Sequence, residues 1–219
     1  MGGGGRLRSV AQIDKRWSVG ENARRAMDTG QWRFRSRGCG PPGPDAVLMA
    51  VRDVSASVDE AKKEVVRGFF RGMLRILQTR YENVSVVYIV HWVRAEEVPP
   101  QEFFARGESG GSKVSPAYVL SRRIMADRFA AGPGNLYFLH FSDGDNWSDE
   151  DNSLSINAVE ELLPWVQIFG YVEVRDPAAG PSTLMSAFSA IRDASFHPVK
   201  LSGSQDIEIA LRQLFPATQ

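Results

Sequence analysis

This sequence predicts an α/β domain: a mostly parallel, doubly wound sheet with helices on both faces and a short antiparallel strand at one edge. Three observations carry that expectation. After residue 45, β-branched and apolar runs alternate with helix-patterned segments. Two of the runs, Ala46-Val47-Leu48-Met49-Ala50-Val51 and Leu136-Tyr137-Phe138-Leu139-His140-Phe141, are apolar throughout, as buried strands are. Each leads into an oxygen-rich loop, Asp53-Val54-Ser55-Ala56-Ser57 or Ser142-Asp143-Gly144-Asp145, at the strand end where open α/β sheets place ligands.

The elements follow in order. Gly38-Cys39-Gly40-Pro41-Pro42-Gly43-Pro44 is a breaker cluster, so residues 1–44 are expected to form an arm and residues 45–219 the folded domain. In the arm, residues 6–28 are weakly helical, and Trp17, Trp32 and Phe34 can pin it to the domain. Residues 46–54 read as a buried strand. Residues 59–80 read as a helix, because Val65, Phe69, Met73, Leu74 and Leu77 recur every three to four residues. Ser57 or Asp59 would cap it, with Glu60 and Glu64 suited to the positive end of its dipole. Val84–Val93 is β-branched and aromatic, hence a strand, and Glu96-Glu97-Val98 before Pro99-Pro100 fits the edge strand. Helices are expected over 115–131, 154–166, 183–194 and 205–215, and strands over 136–142, 168–174 and 197–201.

The chain has 219 residues, 43% of them hydrophobic, so it can bury a real core. Net charge is zero but unevenly spread. Residues 1–45 hold nine Lys/Arg and four Asp/Glu, and the remainder holds 17 and 22. A basic arm on an acidic body suits an acidic contact surface, and the body itself is one such surface. Cys39 is the only cysteine, which excludes an internal disulfide and fits a reducing cytoplasm. No apolar stretch approaches the ~20 residues of a membrane span, so no membrane association is expected.

The oxygen-rich loops carry the chemistry. Asp53, Ser55 and Ser57 alternate along a strand-to-helix turn, so their oxygens can converge on one point. Ser112 follows a Gly110-Gly111 turn, and Asp143 opens an Asp-Gly turn. Carboxylate and hydroxyl oxygens are hard ligands, suited to Mg2+ or Mn2+. Capping and turn formation give each loop a plainer account, and His91, His140 and His197 read as structural. Beyond Asp143 lie Asp145, Asn146 and Trp147 and the acidic run Asp149-Glu150-Asp151, which reads as a solvated loop. A rim Trp is a common interface anchor, so Asp145, Asn146 and Trp147 are candidate partner-binding residues.

Taken together, Asp53-x-Ser55-x-Ser57, Gly110-Gly111-Ser112 and Asp143-Gly144 resemble the metal-ion-dependent adhesion site (MIDAS) of von Willebrand factor A (VWA) domains. Residues 96–115, 140–147 and 168–185 narrow this, because they resemble the bacterial YhbH/YeaH family, the sporulation protein YhbH of spore formers. The similarity runs from about residue 30 to 216. It implies a Rossmann-like sheet of the VWA type and a metal site of Asp53, Ser55, Ser57, Ser112 and Asp143. Ser112 stands where the family has Thr, and Ala56, Val58 and Asp59 depart from the usual first loop. The chain is also shorter at its N-terminus than typical members.

Two functions from different classes follow. The leading one is a non-catalytic, cytoplasmic binding module whose ion takes a carboxylate from a protein partner. The resemblance adds a stress or sporulation role and a PrkA-type serine kinase as partner. The alternative is a Mg2+-dependent phosphohydrolase with Asp53 as nucleophile, although Ser55 then stands where a second carboxylate is needed. Nucleic acid is not expected as a partner, because the domain is acidic and only Arg33, Arg35 and Arg37 of the arm favour it. Repulsion between Asp53 and Asp143 would make either Asp→Ala change neutral or slightly stabilising without metal.

Overall fold

A computed structural model describes residues 45–108, 110–129 and 135–215. The expected arm, residues 1–44, lies outside the described residues. Among the described residues, six strands form one sheet: β1 (Ala46–Asp53), β2 (Val84–His91), β3 (Ala95–Glu97), β4 (Leu136–Ser142), β5 (Ile168–Val174) and β6 (Phe196–Leu201), in the order β3-β2-β1-β4-β5-β6. Every neighbouring pair is parallel except β2 and β3, so β3 is the antiparallel edge. The α-helices of the described residues are α1 (Glu60–Arg80), α2 (Pro100–Ala105), α3 (Ser115–Phe129), α4 (Asp149–Leu162), α5 (Thr183–Phe188) and α6 (Ile207–Leu214).

The helices pack on both faces. All eight residues of β1 are buried, and their side chains alternate between two cores. Ala46, Leu48 and Ala50 join the core under α1, α2 and α6, which supply residues such as Phe69, Phe103 and Leu211. Val47, Met49 and Val51 join the opposite core under α3, α4 and α5, with Tyr118, Val159 and Phe188. This two-sided burial is why β1 and β4 read as unbroken apolar runs.

Several boundaries differ from expectation, each for a local reason. α4 starts at Asp149 rather than 154, because the Ser148 side chain accepts from the Asp151 N–H and caps the helix. Asp149, Glu150 and Asp151 are therefore its first turn, where the dipole favours acids, and not a solvated loop. It ends at Leu162, one turn before Trp165, with Pro164 inside a closing 3-10 turn. α5 stops at Phe188 instead of 194 and continues as turns. The unexpected α2 begins at Pro100, where proline's fixed φ suits a first helical position. β2 ends at His91, two residues short of the expected Val93.

Candidate metal centre

Asp53 is the last residue of β1, and Asp143 directly follows β4. β1 lies between β2 and β4, so the chain leaves β1 toward one side of the sheet and later returns on the other. The crevice outside the carboxyl ends of β1 and β4 is thus a topological switch point, the usual ligand position of open α/β sheets. Asp53 and Asp143 line one cleft there, together with Arg52 and Lys62.

Local chemistry fixes the first loop. The Ser55 N–H donates to Asp53 Oδ1 at 2.8 Å, and the Ser55 and Ser57 hydroxyl oxygens lie 3.2 Å apart. Asp59 then caps α1 by accepting from the Lys62 N–H at 2.8 Å. In the second loop, the Ser112 hydroxyl donates to Asp53 Oδ2 at 2.7 Å. Both oxygens of the buried Asp53 carboxylate are therefore engaged. Ser55, Ser112 and Asp143 are buried as well, whereas Ser57 is exposed.

Lys62 ties the third loop to the first. Its Nζ donates to Asp143 Oδ2 at 3.1 Å and to the Ser57 carbonyl at 2.7 Å. The ammonium thus stands as a cation against Asp143, one of the five candidate ligands, and against the Ser57 backbone. The donor set, two carboxylates and three hydroxyls, fits a hard divalent ion. Among the described residues, no three His, Cys, Asp or Glu side chains gather, so hydroxyls must complete any ligand set.

The Asp143 turn depends on Gly144, whose φ of 89° lies in the left-handed region. A Cβ there would sit 2.4 Å from Glu173 Oε2 and 2.5 Å from Ser182 Cβ. Glu173 is buried beneath it, accepting from the hydroxyls of Ser182 and Tyr171, and burial raises its pKa. Arg175 donates to the Asp143 carbonyl at 2.9 Å and to Asp145 Oδ1 at 2.8 Å. Asn146 donates from Nδ2 to Asn152 Oδ1 at 2.9 Å. Trp147 is 62% exposed, yet an added Cβ on Gly111 would lie 2.7 Å from its ring, so the indole covers the glycine turn beside Ser112.

The Ser112 loop has two further anchors. Asp151 accepts from the N–H groups of Val114 and Ser115 and from the Ser115 hydroxyl, capping α3 from α4. Burial alone would raise its pKa, but these donors outweigh burial and hold the carboxyl below its usual range. Behind the loop runs a buried chain, His91 Nδ1 to the Lys113 carbonyl at 3.0 Å, His91 Nε2 to His140 Nε2 at 2.8 Å, and His140 Nδ1 to the Tyr118 hydroxyl at 2.7 Å. A carbonyl only accepts, so His91 carries its proton on Nδ1. Its Nε2 then accepts from His140 Nε2–H, and His140 Nδ1 accepts from Tyr118. Both rings are neutral in this arrangement. Burial lowers both pKa values, with Asp53 opposing the shift at His91.

Sequence reasoning missed Lys62, Arg52, Asp151 and the His91–His140 contact. Arg52 had a signal, as a cation at the end of a buried apolar run. It lies fully buried, donating from Nε to the Phe103 carbonyl at 2.6 Å and from a terminal nitrogen to that of Arg106 at 2.7 Å. Burial lowers its pKa to about 10, so it remains charged at neutral pH.

Comparison with known proteins places this architecture. A UPF0229 protein of Bacillus thuringiensis (strain Al Hakam) is 38% identical over 174 residues, covering 80% of this chain and 44% of that protein. A UPF0229 protein of Ruminiclostridium cellulolyticum is 36% identical over 172 residues, covering 78% and 43%. The chain thus spans less than half the length of these curated relatives. Among solved structures, a mutant of the PilB minor pilin from Streptococcus sanguinis superposes with a TM-score of 0.59 at 7% identity, covering 81% of this chain and 63% of that one. Proximal thread matrix protein 1 from the mussel byssus gives 0.53 at 11%, covering 78% and 45%. At such identities the likeness concerns the fold alone. Residues 24–218 match the family described as a protein of unknown function (DUF444), and with the UPF0229 relatives this shows that the chain belongs to that family, the YeaH/YhbH-like proteins its sequence resembles.

Proposed function

We propose that this chain is a non-catalytic, metal-dependent protein-binding module, a VWA-type domain with a MIDAS-like site. The observation that carries the reading is that Asp53 and Asp143 line one cleft with Lys62, while hydrogen bonds tie Ser55 and Ser112 to Asp53, and Ser57 to Ser55. The strand order, with its switch point between β1 and β4, supports a Rossmann-like VWA arrangement. Those five residues would hold one Mg2+ or Mn2+, which takes about six oxygens and, when bound, supplies a positive charge for a partner's carboxylate. Asp53 orients Ser55 and Ser112, and the Asp151 and His91 anchors keep the Ser112 loop in place. Exposed Trp147, with Asp145 and Asn146, supplies a rim for the partner.

Asp53 is a poor phosphohydrolase nucleophile in this setting, because it is buried and both its oxygens accept hydrogen bonds. Among the described residues, no helix is long and apolar enough to cross a membrane. A cytoplasmic location, a stress or sporulation role and a PrkA-type serine kinase partner complete the proposal and rest on family resemblance. The test is thermal melting in Mn2+ and in chelator. An ion at about 100 times its Kd should add about 2.7 kcal/mol if it binds only the native state. Identical melting in both conditions would refute the metal site.

A further inference from the structure

We propose that Lys62 couples the ion to an anionic partner, making the crevice a carboxylate receptor that is switched on by the divalent ion. The proposal rests on the metal-site reading above and adds to it the residue that selects the partner's charge.

The argument is a charge count. The charged side chains lining the cleft are Arg52, Lys62, Asp53 and Asp143, which balance to zero without an ion. Arg52 directs its hydrogen bonds to carbonyl oxygens and not to a carboxylate, so its charge persists beneath the site. Lys62 lies in the first turn of α1, where the helix dipole disfavours a cation. Its ammonium is held there by Asp143 and the Ser57 carbonyl. Around the cleft, Arg175 pairs with Asp145, Lys63 with Glu60, and Arg67 with Glu60 and Glu64, while the carboxylates of Asp59 and Asp151 accept from backbone N–H groups.

Two aspartates alone would neutralise a divalent ion and leave nothing to attract an acid. Here two cations are already built in, so a divalent ion leaves the cleft at +2. Lys62 must also give up Asp143 Oδ2 for that oxygen to become a ligand. The displaced ammonium, on a side chain only a quarter exposed, then needs a new counter-charge next to the ion. A partner's carboxylate has two oxygens and can meet both cations. Ion and carboxylate therefore bind cooperatively, each weakly without the other.

The experiment is Mn2+ titration calorimetry on the parent chain, Lys62→Met and Lys62→Arg, in chloride and in acetate at equal ionic strength. Circular dichroism in chelator checks that each variant is folded. Acetate should tighten Mn2+ binding by the parent severalfold. Lys62→Met should bind Mn2+ about tenfold tighter than the parent in chloride, a change of about 1.4 kcal/mol, and lose most of its acetate response. Lys62→Arg should keep that response. If Lys62→Met and the parent show equal affinities and equal acetate responses, the coupling role is wrong while the metal site stands. If neither protein binds Mn2+ in either salt, the metal-site reading fails and takes this proposal with it.

Discussion

Replacing Asp53 by Ala should destabilise the metal-free protein by about 2–4 kcal/mol, whereas carboxylate repulsion alone would predict a neutral or stabilising change. The structure reverses the sign. Asp53 Oδ1 accepts from the Ser55 N–H and Oδ2 from the Ser112 hydroxyl, and both donors are buried. Alanine strands them, at about 1–3 kcal/mol each, less the cost of desolvating the carboxylate that is no longer there. Asp143 is already opposed by Lys62, so little repulsion remains to be relieved. Asp53→Asn keeps one acceptor and should recover part of the loss. The assay is urea denaturation in chelator, comparing midpoints at unchanged m. An Asp53→Ala protein as stable as the parent or more so would refute the argument, because it would mean that these hydrogen bonds contribute nothing net.

Three more outcomes are expected. Gly144→Ala combines a left-handed φ with a Cβ 2.4 Å from Glu173 Oε2, and should cost about 2–4 kcal/mol in denaturation midpoints; an unchanged midpoint would contradict that packing. Ser112→Thr should keep or tighten Mn2+ binding in calorimetry, since the added methyl restricts the hydroxyl rotamer, and a tenfold loss would count against Ser112 as a ligand. His91 and His140 have pKa values below the ordinary 6.5, so protons bind the unfolded chain first. Their contribution is fully present above that value and is lost as pH falls below it, so melting temperature should drop between about pH 7 and pH 5, with a shallower slope in a folded His140→Phe variant.

The parts of the fold that were legible are those in which a local pattern has one physical solution. β1 and β4 are buried on both faces, so they show as apolar runs, and the polar residues that end them mark the strand ends. The boundaries that shifted depend on choices between neighbours of similar strength. Ser148 could have closed a turn or capped a helix, and packing of Val159 and Leu162 against the second core favours the helix. Pro99-Pro100 read as the end of an edge strand, but Pro100 also opens α2, whose Phe103 fills the core beside Tyr88 and Phe70.

The candidate site divides in the same way. Its five oxygen-bearing residues are visible in sequence because each sits in a short loop with a recognisable spacing. The groups that govern their charge and position are not, because they come from distant parts of the chain: Lys62 and Asp143 are 81 residues apart, Asp151 and Ser115 are 36 apart, and His91 and His140 are 49 apart. The sheet order brings the two imidazoles together, since β2 and β4 flank β1 and put both near the Asp53 end of that strand, and helix packing brings the other two pairs together. Motif spacing therefore identifies oxygens that can converge, whereas, apart from Arg52 beside Asp53 in the chain, the tertiary fold decides which cations stand next to them. In this chain those cations, Arg52 and Lys62, already balance the two carboxylates, so the ligand motif by itself overstates how strongly the crevice should hold an ion unaided.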